Sequence, residues 1–129
     1  MERVLWILAG GYGFAGVALG AFGAHALRPL FAQAADPAKC AEWWHTATEY
    51  HLVHALAIGL TAALFRRGES RAAAVAGCAF AAGVLVFSGS LELMATTGTL
   101  WLGAVTPIGG VLLLVGWAAL VVGAAKLRA

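Results

Sequence analysis

Five ionisable residues, His25, Glu49, His51, His54 and Glu92, interrupt otherwise apolar stretches of this sequence. Imidazole and carboxylate groups can ligate a metal, carry a proton or hydrogen-bond a ligand, and their spacing limits which of these they do together. Each helical residue advances about 100°, so with Tyr50 at zero, His54 stands near 40°, His51 near 100°, Glu49 near −100° and His45 near −140°. Glu49 and His54 face different neighbours, and a chelate of both needs the helix unwound between them. His51 and His54, three residues apart, fall on one side. Two histidines do not complete a zinc site, which takes three or four ligands, so Glu92 or His25 has to join from another helix. The metal candidates are therefore His51, His54 and Glu92. A haem held between His25 and His54 on facing helices is a related option, and Glu49 with His54 as proton carriers is a third. Neither a G-x-S-x-G elbow nor an H-E-x-x-H helix is present, which points away from a hydrolase and, with the rest, away from an enzyme.

These groups need a scaffold, and composition names it. Of 129 residues, 62% are hydrophobic and only 11% charged, whereas soluble domains carry about 45–50% apolar and about 25% charged residues. The bilayer must act as solvent. One span needs roughly 20 apolar residues to cross about 30 Å of hydrocarbon, because a helix pairs its own backbone groups. The sequence offers four such runs, Val4–Ala24, Ala47–Phe65, Ala72–Ala95 and Ala104–Ala125, joined by short connections. The expectation is an all-α membrane protein, one domain over residues 1–129, with four transmembrane helices in a compact bundle. Arg3, Arg66, Arg67, Arg71, Lys126 and Arg128 flank one side and only Arg28 and Lys39 the other. That asymmetry places both termini and the 66–71 turn in the cytoplasm of a bacterial-type inner membrane. Basic residues in twos and threes at helix ends give no footprint for nucleic acid. Cys40 in the outer loop and Cys78 in the third span are too far apart to bridge, so both are expected reduced. Ala24-His25-Ala26 imitates a signal cleavage site, but the preceding run is too long and too rich in glycine for a signal core.

Small residues recur at helical spacing. Gly11-Tyr12-Gly13-Phe14-Ala15-Gly16 formally matches G-x-G-x-x-G, a dinucleotide pattern only between a strand and a helix. Inside an apolar helix it reads as close packing, with Ala9, Gly13, Gly16, Gly20 and Ala24 flattening one face. Gly109, Gly116 and Gly123 do the same in the last span, where Pro107 marks the helix start. These glycine faces predict tight contacts within the chain or a homo-oligomer through Gly13, Gly16, Gly20, Gly109, Gly116 and Gly123, with membrane lipid as the remaining partner. The third span carries Gly77, Ala81, Ala82 and Gly83 before Ser88-Gly89-Ser90. The 28–42 loop shows no strong period and leads into Trp43-Trp44, an aromatic pair of the kind that anchors at headgroup level.

All five ionisable groups fall in the outer half of the membrane under this topology. Counted from the outer boundary, His54 lies about 10 Å down, and Ser88 at about the same depth. Gly16, Gly20, Gly89, Gly109 and Gly110 fall near that layer and leave space. The layer is either a small pocket with His54 and Tyr50 as polar handles, or simple helix contact with His54 bonded to a serine or carbonyl.

Five stretches, in order, resemble a known family. They are Gly20-Ala21-Phe22-Gly23-Ala24-His25, Glu49-Tyr50 with His54, Phe87-Ser88-Gly89-Ser90-Leu91, Gly103-Ala104-Val105-Thr106-Pro107-Ile108-Gly109-Gly110 and Gly116-Trp117. The chain resembles the small four-span membrane family known as domain of unknown function 423, which includes the animal transmembrane protein 256 group. The resemblance implies a four-helix inner-membrane protein whose biochemical activity is not established. His25, Glu49, Tyr50, His54, Ser88 and Ser90 fall on the family pattern and form the expected ligand-binding set. The resemblance also implies that His51 and Glu92 stand where relatives commonly carry neutral residues, which counts against a shared metal site there. No cofactor is implied. The combined expectation is a membrane protein that binds a small ligand, lipid or ion in a polar pocket in the outer half of the bundle.

Overall fold

The computed structural model describes residues 1–67 and 71–126, and every long element among them is a helix. Helix α1 spans Glu2–Ala24, α2 is a short turn of helix over Arg28–Ala32, and α3 runs over Pro37–Arg67. Helix α4 covers Arg71–Thr97, a 3-10 turn covers Leu100–Ala104, and α5 covers Thr106–Ala125. Pro107 stands in the first turn of α5, where its missing donor costs nothing. Helix α4 stops at Gly98, whose φ of +70° is left-handed and disfavoured for other residues.

Helix α3 begins ten residues before the expected start of the second span. The cause is local: Pro37 is the first helical residue, and the Asp36 carboxylate accepts the Lys39 backbone N–H at 3.0 Å. An acidic cap followed by proline at the first position is a strong helix start. Trp44, expected at the headgroups, instead turns inward and is buried. Its indole N–H donates to the Leu19 carbonyl at 2.9 Å, because an indole donor in an apolar setting needs an acceptor.

The expectation of four spans is met in part. Glu2–Ala24, Arg71–Thr97 and Leu100–Ala125 are long and apolar enough to cross a membrane. Helix α3 is long enough, but Glu49, His51 and His54 dilute its apolar run, so by the same measure it does not qualify.

Helices α3 and α4 form the centre, with α1 packed mainly on α3 and α5 mainly on α4. At one end of the bundle Arg66 meets Glu2 at 3.5 Å, and at the other Trp44 reaches Leu19, so α1 and α3 run antiparallel. Gly123 of α5 packs beside Leu64 and Ala72, which brings the end of α5 to the Glu2 end. Of the basic residues in the charge asymmetry read from the sequence, Arg128 lies outside the described residues, as do residues 68–70 of the expected cytoplasmic turn.

The core holds Leu5, Ile58, Ala62, Ala76, Phe80, Val84 and Leu113. Lipid tails are as apolar as these side chains, so close van der Waals contact rather than burial from water holds the helices together. Glycines make the contact possible. Leu5 of α1 seats on Gly77, Leu113 of α5 on Gly83, and Phe80 of α4 on Gly116. Gly109 lies against the backbone of Phe87, where a Cβ would have no room. The Gly109, Gly116 and Gly123 face is thus taken up inside the chain. Of the α1 glycines, Gly16 packs on Leu52, while Gly13 and Gly20 face open space. Of the six glycines expected to mediate contact between copies, those two are the ones that meet nothing within 4 Å.

Candidate functional site: an aromatic groove along α3, α4 and α5

His54 is buried in the middle of α3, and its ring is fixed at both nitrogens. Nδ1 lies 2.8 Å from the Tyr50 carbonyl, which can only accept, so Nδ1 carries the proton. Nε2 lies 3.1 Å from the Trp117 indole nitrogen, which can only donate, so Nε2 is bare and accepts. The two bonds together specify one neutral tautomer. Phe80 and Trp117 enclose the ring, with centroids at 5.6 and 5.9 Å from it. Tyr50 stacks on the open side at 5.7 Å and contacts Phe87 at 4.6 Å.

Tyr50, His54, Phe87 and Trp117 form part of the wall of a groove of about 840 Å³ between α3, α4 and α5. Tyr50, Phe87 and Trp117 give it aromatic faces, Val53, Val111 and Leu114 extend the apolar wall, and Pro107 and Gly110 line the α5 side. Among the described residues Glu49 supplies its only carboxylate. That carboxylate is exposed and lies 3.9 Å from Nδ1 of His45, one turn earlier. No Lys or Arg side chain among the described residues lines the groove.

Glu49, Tyr50 and His54 of the expected set therefore meet at one groove, and the other three do not. Ser88 is fully buried and donates to the Ala47 carbonyl at 2.8 Å, stitching α4 to α3. That bond puts Ser88 level with Ala47, about two helical turns from His54, rather than in one layer with it. The register differs from expectation because α3 extends far beyond the assumed boundary at residue 47. Ser90 hydrogen-bonds Thr106 Oγ1 at 2.7 Å and ties α4 to the start of α5. His25 ends α1 as an exposed residue and does not line the groove.

The metal and haem options do not fit this geometry. His51 and His54 diverge: His54 faces α5, whereas His51 packs on Tyr12 of α1 at 5.3 Å and approaches Glu92 of α4 at 3.7 Å. Among the described residues no group of three or more His, Cys, Asp or Glu side chains is gathered as a metal would need. Both ring nitrogens of His54 are engaged, which leaves no lone pair for iron, and a proton arriving at Nε2 would break the Trp117 bond. Glu49 and His54 are accordingly poor proton carriers as a pair. The His51–Glu92 pair is different. His51 Nδ1 and Nε2 and Glu92 Oε1 are all buried with no hydrogen bond.

Sequence reasoning missed Trp117, Phe87 and Tyr12. Trp117 had a signal: a tryptophan in mid-span, away from the interface where such residues collect, needs an acceptor for its indole N–H. Tyr12 had the same one, and its hydroxyl donates to the Ala81 carbonyl at 2.9 Å. Trp117→Phe is expected to keep the ring packing and leave His54 Nε2 unsatisfied, lowering stability by about 1–2 kcal/mol in detergent unfolding. An unchanged unfolding midpoint would show that the indole bond contributes nothing.

The comparisons with known proteins return relatives named as membrane proteins. No solved structure matches the chain. A UPF0382 membrane protein, YwdK of Bacillus subtilis, is 40% identical over 111 residues, covering 85% of this chain and 86% of its own. A UPF0382 membrane protein of Haemophilus influenzae is 38% identical over 114 residues, covering 88% and 87%. The UPF0382 inner membrane protein YgdD of Escherichia coli K12 is 41% identical over 128 residues, covering 98% of this chain and 93% of its own. The family described as protein of unknown function, DUF423, matches residues 19–110. With apolar helices of spanning length and relatives named as membrane proteins across nearly its whole sequence, the chain is an all-α membrane protein of the DUF423 family.

Proposed function

We propose that this protein is a four-span inner-membrane bundle, both termini cytoplasmic, whose aromatic groove binds a small amphipathic molecule bearing a positive charge. Helix α3 crosses with the others in this reading: it runs antiparallel to α1 over the full height, and His51 and His54 are buried against neighbouring helices, with Glu49 exposed at the groove. The observation that carries the ligand reading is the grouping of three aromatic faces and one carboxylate, with no Lys or Arg among the described residues, on one groove. Aromatic faces attract cations through their quadrupole. Glu49 supplies the complementary charge at the rim, and the apolar wall accepts the body of the molecule. His54 serves as a rigid neutral support that holds Tyr50 and Trp117 in place and does not repel a cation.

Tetraphenylphosphonium, a lipophilic cation, is a suitable probe. It should bind purified protein in equilibrium dialysis, and Glu49→Gln should weaken that binding about fivefold. Tyr50→Leu should weaken it by a similar factor through loss of an aromatic face. Binding that is indifferent to both replacements, or equally good for a neutral analogue of the same shape, would dispose of this reading.

A further inference from the structure

A second groove, of about 440 Å³, lies between α1 and the N-terminal part of α3. Its walls are small, with Gly20, Gly23, Ala24 and Ala41, and Trp44 forms a firm side because its indole is bonded to Leu19. Gly23 lies directly on the Trp44 ring, whereas the face of Gly20 meets nothing within 4 Å. The groove therefore stays open lower down. Its rim carries Arg28 and His45, and among the described residues no acidic one lines it. Arg28 is exposed and makes no ion pair among the described residues, while His45 stands 3.9 Å from Glu49.

We propose that this groove holds one anionic phospholipid, its phosphate at Arg28 and an acyl chain lying over Gly20. The polarity is ordered along the membrane normal as a lipid requires. Arg28 follows the end of α1, and Gly20 lies four residues below that end, about 6 Å deeper. A guanidinium presents a planar fork matched to phosphate oxygens. The charge is opposite to that of the groove lined by Glu49, so the two faces of α3 recognise different molecules. This site does not depend on the cation-binding groove.

The test uses the full chain reconstituted in nanodiscs containing phosphatidylglycerol and phosphatidylcholine with identical acyl chains, followed by mild detergent extraction and native mass spectrometry. Wild-type protein should retain about one phosphatidylglycerol per chain in preference to phosphatidylcholine. Arg28→Gln should lower that retention about fivefold. Gly20→Leu fills open space, so the fold tolerates it, and retention should fall similarly because the chain path is blocked. Gly10→Leu, also into open space but outside the groove, should retain the lipid as wild type does. Soluble glycerol phosphate should not displace the lipid; displacement would mean a free phosphate site instead and overturn the lipid assignment. Equal retention of phosphatidylcholine, or retention unaffected by both Arg28→Gln and Gly20→Leu, would overturn it too. So would a lipid-free dimer that Gly20→Leu dissociates, which would give the groove to a second copy.

Discussion

Gly109→Ala is expected to destabilise the bundle by about 3 kcal/mol, at the upper end of the range for overpacking. A Cβ built at Gly109 falls on the backbone nitrogen of Phe87 and 2.7 Å from its Cα. Backbone inside a helix cannot rotate aside as a side chain can, so α4 and α5 have to separate along their length. Their interface includes Leu113 on Gly83 and Phe80 on Gly116, and those contacts loosen with it. Gly13→Ala provides the comparison, because nothing lies within 4 Å of that position. It should leave stability unchanged or slightly raised, since alanine favours helix over glycine by about 0.8–1.0 kcal/mol. Circular dichroism during denaturation in detergent distinguishes the two. Equal shifts for both variants would mean that the α4–α5 contact is not set by backbone proximity.

His51→Leu is expected to cost about 3 kcal/mol, because it leaves the largely buried Glu92 carboxylate without its polar neighbour. His51 and Glu92 approach at 3.7 Å with side chains about nine-tenths and four-fifths buried. The titratable neighbour from α1 is Tyr12, whose hydroxyl is already engaged with Ala81. Glu92→Leu should be costly for the same reason, leaving His51 unpartnered. The double replacement should recover most of the loss, since exchanging both buried polar partners for apolar side chains of similar shape can be nearly neutral or stabilising. A double-mutant cycle on unfolding free energies reads this directly. Additive single effects, with no recovery in the double variant, would show that the pair is not coupled.

The helices themselves were legible, since long apolar runs admit little else in lipid, and Pro107 marked the start of α5 correctly. The start of α3 was also present in the sequence, in Asp36-Pro37, but the weak period of residues 28–42 concealed it. That shift of ten residues then displaced the register, so Ser88 was placed beside His54 when it pairs with Ala47. Helical angles put Tyr50 and His54 on one face, and they do line one groove. The same angles also put His51 with His54, yet a separation near 60° is enough to send one to α1 and the other to α5. Which helix lies where is hard to read when every face is apolar, because hydrophobic periodicity no longer marks an inside. The contacts that decided it were glycines meeting specific large residues, such as Gly116 with Phe80, and single-donor pairings such as Trp117 with His54.

The bond between His54 and Trp117 joins residues 63 positions apart. At a translation rate of about 5–20 residues per second, the ribosome releases the indole roughly 3 to 13 s after the imidazole it must meet. Helix α3 emerges with His54 Nε2 unanswered throughout that interval, and for about its first half with the Ser88 hydroxyl that bonds the Ala47 carbonyl still unmade. The nascent chain therefore keeps its most polar helix waiting on residues synthesised later.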